Sequence, residues 1–286
     1  MEMQANLLNA LINIMDYGDL DISAYSSKYL NRVNSVGEQL EYYIKDAIAG
    51  SFAFANKSAI YSKVYSYLGN QNNPPDAIIR GGDAFEIKKI TSRSASIALN
   101  SSPPKDRLYS SDPRITSACV NCEPGWRVKE IFYAIGQISD RKISQLLFVH
   151  GRCYAADRKI YESLHESLKG EFEKVMKAKG IESGSTIELG RVKRVDPLGV
   201  TELRVRGMWQ MKNPLNFFEN ELWNGKAQGH GSFVGAIMLK SKYDEFPEKD
   251  REKLKRMEGV EIRQTKLKDP NNPANLLDGI VIKMVV

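Results

Sequence analysis

The 286-residue chain is poor in cysteine, with only Cys119, Cys122 and Cys153. Three thiols cannot all pair within one chain, so a disulfide framework is excluded and a reducing cytoplasm is the expected setting. No apolar run approaches the ~18 residues that span a bilayer, and the mean hydropathy is −0.40; an integral membrane protein is not expected. The first 22 residues, MEMQANLLNALINIMDYGDLDI, lack a basic start and carry Glu2, Asp16, Asp19 and Asp21, which reads as an amphipathic helix rather than a signal peptide. Internal repeats, low-complexity tracts and linker-like stretches are missing too, so one domain over 1–286 is expected. A dominant charge is also absent: 41 Lys and Arg against 35 Asp and Glu leave +6, which favours an anionic partner without naming one. With 42% hydrophobic and 27% charged residues, disordered and fibrous classes are excluded.

The periodicity divides the chain into an N-terminal helical part (1–70), a central part (71–180) and a C-terminal part (181–286). A first helix covers 1–16, with Leu7, Leu8, Leu11, Ile12 and Met15 on one face. A second covers roughly 30–50, with Val33, Val36, Leu40, Ile44, Ala47 and Ile48 on a stripe and Gly50 closing it. Residues 58–68 suit helix or strand equally. QNNPPDAIIRGGDAFEIKKI then reads as a β-hairpin with a Gly-Gly turn. RVKEIFYAIGQI reads as an amphipathic helix, QLLFVHGRCYAA as a buried strand, and RKIYESLHESLKGEFEKVMKAKG as a long helix ending at Gly180. In the last third, TELRVRGMWQM is the clearest strand, followed by a helix at 248–257 and a terminal strand GIVIKMVV.

Asp76, Glu86 and Lys88 stand out on the hairpin. Two positions apart on one strand, Glu86 and Lys88 share a face about 6–7 Å apart, while Phe85 and Ile87 face the core. Turn parity then decides whether Asp76 joins them. A two-residue turn at Gly81-Gly82 pairs Asp76 with Ile87 and sends its carboxylate away. A three- or five-residue loop, or a bulge, pairs it with Glu86 or Lys88. Two carboxylates and an ammonium on one sheet edge suit metal-assisted phosphodiester hydrolysis. Asp76 and Glu86 would hold Mg²⁺ through oxygen ligands, with water in the remaining positions. Lys88 would orient or help deprotonate the attacking water and offset phosphate charge.

This arrangement resembles the PD-(D/E)XK nuclease superfamily. More narrowly, NRVNSVGEQLEYYIKDAIAG, PPDAIIRGGDAFEIKKI, ALNSSPPKDRL and VTELRVRGMWQMKNP together resemble the NgoPII-type type II restriction endonucleases, in family order and over most of the chain. The resemblance implies an α/β restriction-endonuclease-like core, a mixed β-sheet flanked by helices. It also implies a Mg²⁺-dependent prokaryotic enzyme that cuts both strands of a short palindrome, GGCC for this branch, as a homodimer. Asp76 and Glu86 match the metal-binding acids and Lys88 the catalytic lysine; Glu41 matches the helix glutamate that assists in some members, with Glu38 as competitor. A repair or junction-resolving nuclease on the same core, and a non-catalytic DNA-binding protein, are the alternatives.

Two further groups carry expectations. Cys119-x-x-Cys122 and His150-x-x-Cys153 have the ligand types of a structural zinc site, provided the chain turns at Gly151. Between Arg191 and Lys212, six cations face only Asp196 and Glu202, beside Trp209, Gln210 and Asn213. Arg204 and Arg206 share a strand face, and an Arg fork can read guanine. Arg204, Arg206, Gln210 and Lys212 are therefore expected at DNA, and Lys105, after the hairpin, at a backbone phosphate. Arg107, Ser101 and Ser102 could join it there. Lys249, Arg251, Lys253, Lys255 and Arg256 alternate with acids on what reads as a solvated helix. His165 and His230 have no evident partner, and GKAQGHGSF matches no phosphate loop.

Overall fold

A computed structural model describes residues 5–27, 36–70, 73–181, 183–223 and 232–286. Helix α1 (Leu7–Tyr17) starts at Asn6, whose side chain accepts the Asn9 amide, and stops at Gly18 in the left-handed region. A short α2 (Ala24–Ser27) follows; Val33 and the start of the expected second helix lie outside the described residues. Helix α3 (Val36–Ala49) buries Leu40, Tyr43, Ile44, Ala47 and Ile48. The ambiguous 58–68 segment divides between helix and strand, into α4 (Ser58–Val64) and the start of β1 (Tyr65–Asn70).

The hairpin strands are β2 (Asn73–Ile79) and β3 (Ala84–Ile90). After β4 (Ile97–Asn100), β5 (Arg107–Tyr109) and the short α5 (Ser117–Val120) come β6 (Val128–Ser139) and β7 (Lys142–His150). RVKEIFYAIGQI is therefore strand β6, not a helix. Its apolar residues point both ways, Phe132 and Ala134 into one core and Tyr133 and Ile135 into another. A strand covered on both faces shows no period of two, and its apolar spacing imitates a helix.

Helices α6 (Gly151–Tyr154) and α7 (Arg158–Ala178) follow, with α7 burying no side chain. TELRVRGMWQM is not one strand but two, β9 (Leu203–Val205) and β10 (Trp209–Met211). β9 pairs with β8 (Gly190–Val192) in a separate ribbon, and β10 pairs with β4. Beyond α8 (Pro214–Phe217) and α9 (Glu219–Trp223) lie β11 (Phe233–Leu239), α10 (Lys240–Glu245), α11 (Glu248–Arg256), β12 (Val260–Lys268) and β13 (Leu276–Val285).

The main sheet runs β1-β2-β3-β6-β7-β11-β13-β12, with β5 on the end of β6. β3 and β6 are parallel, as are β7 and β11, and the other pairs are antiparallel. This is the mixed α/β sheet that the sequence reading expects. One face packs against α1, α3 and α11 through Leu11, Leu40, Ile44 and Leu254 onto Phe85, Ile87 and Phe148. The other is covered by α8 and α9 through Leu215, Phe218 and Leu222. Leu40 sits directly over Gly136 of β6, where a Cβ would lie 2.7 Å from Leu40 Cδ2. The missing side chain lets α3 lie close on the sheet. Among the described residues no helix is long and apolar enough to cross a membrane.

Candidate active site

The hairpin turn belongs to the odd class. Ile79 N–H donates to the Asp83 carbonyl (3.0 Å), leaving Arg80, Gly81 and Gly82 as the loop. Gly81 takes a φ of 65°, which glycine adopts freely. The register Ala77↔Phe85 and Ile78↔Ala84 therefore sets Asp76 opposite Glu86, on one face. Beyond that point the ladder opens. Asp76 Oδ2 accepts the Ile87 amide at 2.6 Å, so the carboxylate lies in the cleft between the separating strands. Lys88 Nζ reaches Glu86 Oε1 at 2.6 Å and Asp76 Oδ2 at 3.9 Å. Both acids are 8% exposed, and Glu86 Oε2 is buried without a hydrogen-bond partner among the described residues.

Burial raises the Asp76 pKa to about 8, helped by the negative charge of Glu86 and opposed by Lys88. For Lys88 burial works against the charge, but Glu86 and then Asp76 outweigh it and hold the ammonium above the usual lysine range. Glu41, on α3, contributes its negative charge to both Asp76 and Lys88, while its own carboxylate pairs with Lys45 at 3.4 Å. Glu38 acts on Tyr42.

Two contributors are not evident from motif spacing. Gly69 of β1 crosses the backbone just before the site, where a Cβ would lie 2.3 Å from the Pro75 carbonyl oxygen and 2.9 Å from Asp76 Cα. An isolated glycine inside a strand, as in YSYLGN, is the signal for such a close approach. Ser102, whose buried Oγ lacks a hydrogen-bond partner among the described residues, lines a cavity of about 10 Å³ together with Glu86, Lys105 and Tyr133. That volume is about the space one water needs.

The expected zinc ligands do not come together. Cys119 is buried in a small cluster with Leu108 and Ile131, and Cys153 in the core under α8 and α9. The chain does turn into α6 at Gly151, but His150 Nε2 binds Glu130 Oε2 at 2.8 Å, and its ring stacks on Phe132. Among the described residues no three His, Cys, Asp or Glu side chains gather as metal ligands. Burial raises the thiols of Cys119 and Cys153, which suits uncharged packing residues rather than thiolates.

The expected DNA contacts divide. Lys105 is only 7% exposed and pairs with Asp112, so it is a fixed interior charge rather than a loop cation. Arg204 of β9 and Arg206, just past the end of that strand, both bind Glu188. Gln210 is exposed on β10 and accepts the Ser96 hydroxyl at 3.3 Å. Lys212 is exposed and lines an open cleft of about 460 Å³ with Arg93, Asn213 and Asn216. His165 lies 3.8 Å from Glu166, and His230 and most of GKAQGHGSF lie outside the described residues. A polar cleft of about 360 Å³ at the turn end of the hairpin holds Asp83, Lys129 and Lys242. Its charges are paired internally, Lys242 with Asp83 at 2.7 Å and Lys129 with Glu123 at 2.6 Å.

Residues 5–269 match the family model of the NgoPII restriction endonuclease. The chain belongs to the NgoPII restriction endonuclease family. It is 38% identical over 280 residues to the type II restriction enzyme NgoPII of Neisseria gonorrhoeae, covering 97% of this chain and 98% of that protein. No solved structure matches. Full-length correspondence includes the hairpin, α3 and β8–β10, and it makes the protein a type II restriction endonuclease, acting on double-stranded DNA.

Proposed function

We propose that the protein hydrolyses both strands of double-stranded DNA at a short palindrome, GGCC by its resemblance to the NgoPII type, with Mg²⁺ held by Asp76 and Glu86. The observation that carries this reading is the buried carboxylate pair bridged by Lys88 where β2 and β3 part. The residues fit the ion: two hard carboxylates converge, and one buried oxygen of Glu86 has no hydrogen-bond partner among the described residues. Mg²⁺ commonly takes one or two carboxylates and fills its shell with water and phosphate oxygens, so a third protein acid is not required. When bound, the ion supplies Lewis-acid polarisation of the phosphoryl oxygen and a more acidic water.

The chain's own groups do the rest. Asp76 is held in place by the Ile87 amide through Oδ2. Lys88, kept charged by the two acids, suits offset of phosphate charge and orientation of a water through its N–H groups. Glu41 stands by as a third acid whose charge reaches both groups. Arg204, Arg206, Gln210 and Lys212 serve as DNA contacts on the β8–β9 ribbon and around β10. A two-fold palindrome is matched most simply by a two-fold symmetric pair of subunits, hence a homodimer in the prokaryotic cytoplasm.

Incubation of a mixed-sequence plasmid with Mg²⁺, followed by sequencing of the ends, tests the reading. Discrete fragments sharing GGCC are expected. Discrete fragments with another motif would overturn the site, smears or a preference for branched DNA would favour a structure-reading nuclease, and intact DNA would overturn the enzyme.

A further inference from the structure

We propose that Glu188 is a specificity-positioning residue that grips one edge of Arg204 and Arg206 and thereby presents their remaining N–H groups to guanine. The inference rests on the reading of β9 as a DNA-facing strand. Arg204 donates through Nε and Nη2 to the two carboxylate oxygens of Glu188, at 2.9 and 2.7 Å. Arg206 adds a third bond, Nε to Oε1 at 2.5 Å. A guanidinium has two edges that can each make a paired contact. With the Nε edge of each arginine turned to Glu188, the terminal Nη1–Nη2 edge stays uncommitted among the described residues. That edge can donate two parallel bonds to O6 and N7 of guanine.

The exposures fit a support rather than a surface ion pair. Both arginines are more than half exposed, at 54% and 55%, whereas the Glu188 side chain is 10% exposed. The support is itself anchored. Glu188 N–H donates to Thr186 Oγ1 at 3.0 Å, and the Thr186 carbonyl accepts Lys169 Nζ of α7 at 3.0 Å. Next along the chain, Gly190 lies under Phe172 of α7, leaving no room for a Cβ. The carboxylate therefore stands on a 21-residue helix rather than on a free loop, and rigid placement of the supporting shell is what a recognition side chain needs. β8 and β9 form a two-stranded ribbon outside the main sheet, an element that the major groove admits. A carboxylate beside DNA repels phosphate. Its place between two cations is explained if it orders them in advance, sparing the entropy of fixing two long side chains at the moment of contact.

The test compares kcat/KM, with Mg²⁺, on a duplex carrying the mapped site and on the same duplex with one G·C pair of the site changed to A·T. Binding to the changed duplex is measured in parallel. For Glu188→Ala the cognate preference is expected to fall roughly tenfold or more, the worth of one good paired base contact. Affinity for the changed duplex should hold or rise, because a negative charge has gone. Glu188→Gln, which keeps one accepting oxygen, should fall between. Unchanged preference in both variants, alongside a lowered preference in Arg204→Ala, would overturn the role of Glu188. Equal weakening on both duplexes with a lowered thermal midpoint would also overturn it, as a structural role. If Arg204→Ala and Arg206→Ala alter neither preference nor affinity, the reading of β9 itself falls.

Discussion

The Asp76 carboxylate accepts the Ile87 backbone amide across the opening of the hairpin, at 2.6 Å. In an unbroken ladder a main-chain carbonyl would take that proton. Here a side chain takes it, so the parting of β2 and β3 and the fixing of Asp76 are one event. The same parting gives Lys88 access to both acids.

Asp76 is a destabilising charge. Its pKa rises from 3.8 when unfolded to about 8 when folded. Folding therefore favours its protonated form; the associated stability is full below about pH 4 and is lost as pH rises through about 8. Asp76→Asn carries no charge at any pH. Without divalent ions it should match the wild type near pH 4 and exceed its thermal midpoint above pH 8 by at least about 2 °C, the shift that roughly 1 kcal/mol gives in a chain of this size. DNA cleavage should be lost at every pH. A lower midpoint than wild type at pH 9, followed by circular dichroism, would contradict the burial argument.

Glu86→Ala and Lys88→Ala should each lower the cleavage rate by on the order of 10²-fold or more, the usual cost of removing a group that meets developing charge. Specific binding should largely survive, since base and phosphate contacts lie elsewhere. Gel-shift titration beside plasmid cleavage checks both halves. Near wild-type cleavage by either variant would remove it from the site.

Gly69→Ala tests the packing behind the acids. Its Cβ would enter the space of the Pro75 carbonyl and Asp76 Cα, so β1 or the Asp76 backbone must shift by about an ångström. Misplacement of that size can cost about 10²-fold in rate. Cleavage should fall by about that factor while DNA affinity changes less than twofold. Undiminished cleavage would show that β1 yields without moving Asp76.

Much of the site was legible in the sequence because it depends on local rules. Side chains alternate along a strand, so Glu86 and Lys88 had to share a face. The Gly-Gly turn left Asp76 a choice of two faces, and the observed three-residue loop puts it on the face of Glu86 and Lys88. The long helix ending at Gly180 and the terminal strand likewise follow from period and termination signals. β6 has the apolar spacing of a helix because burial on both faces erases the alternation on which strand recognition depends. TELRVRGMWQM looks like one strand but its two halves pair with different partners, β8 and β4, a choice no local pattern records.

By itself the sequence determined which residue types could perform the chemistry and where helices and strands with one covered face would lie. Only the tertiary structure decided which of those residues meet. It brought α3 onto Gly136 and Glu41 into the field of Asp76, and it set Glu188 under two arginines 16 and 18 positions away. It also put Cys153 in a different core cluster from Cys119 and Cys122 and gave His150 to Glu130. The physical reason is that ligand spacing constrains neighbours along the chain, whereas contacts between distant segments are set by how two covered faces of one sheet exclude water.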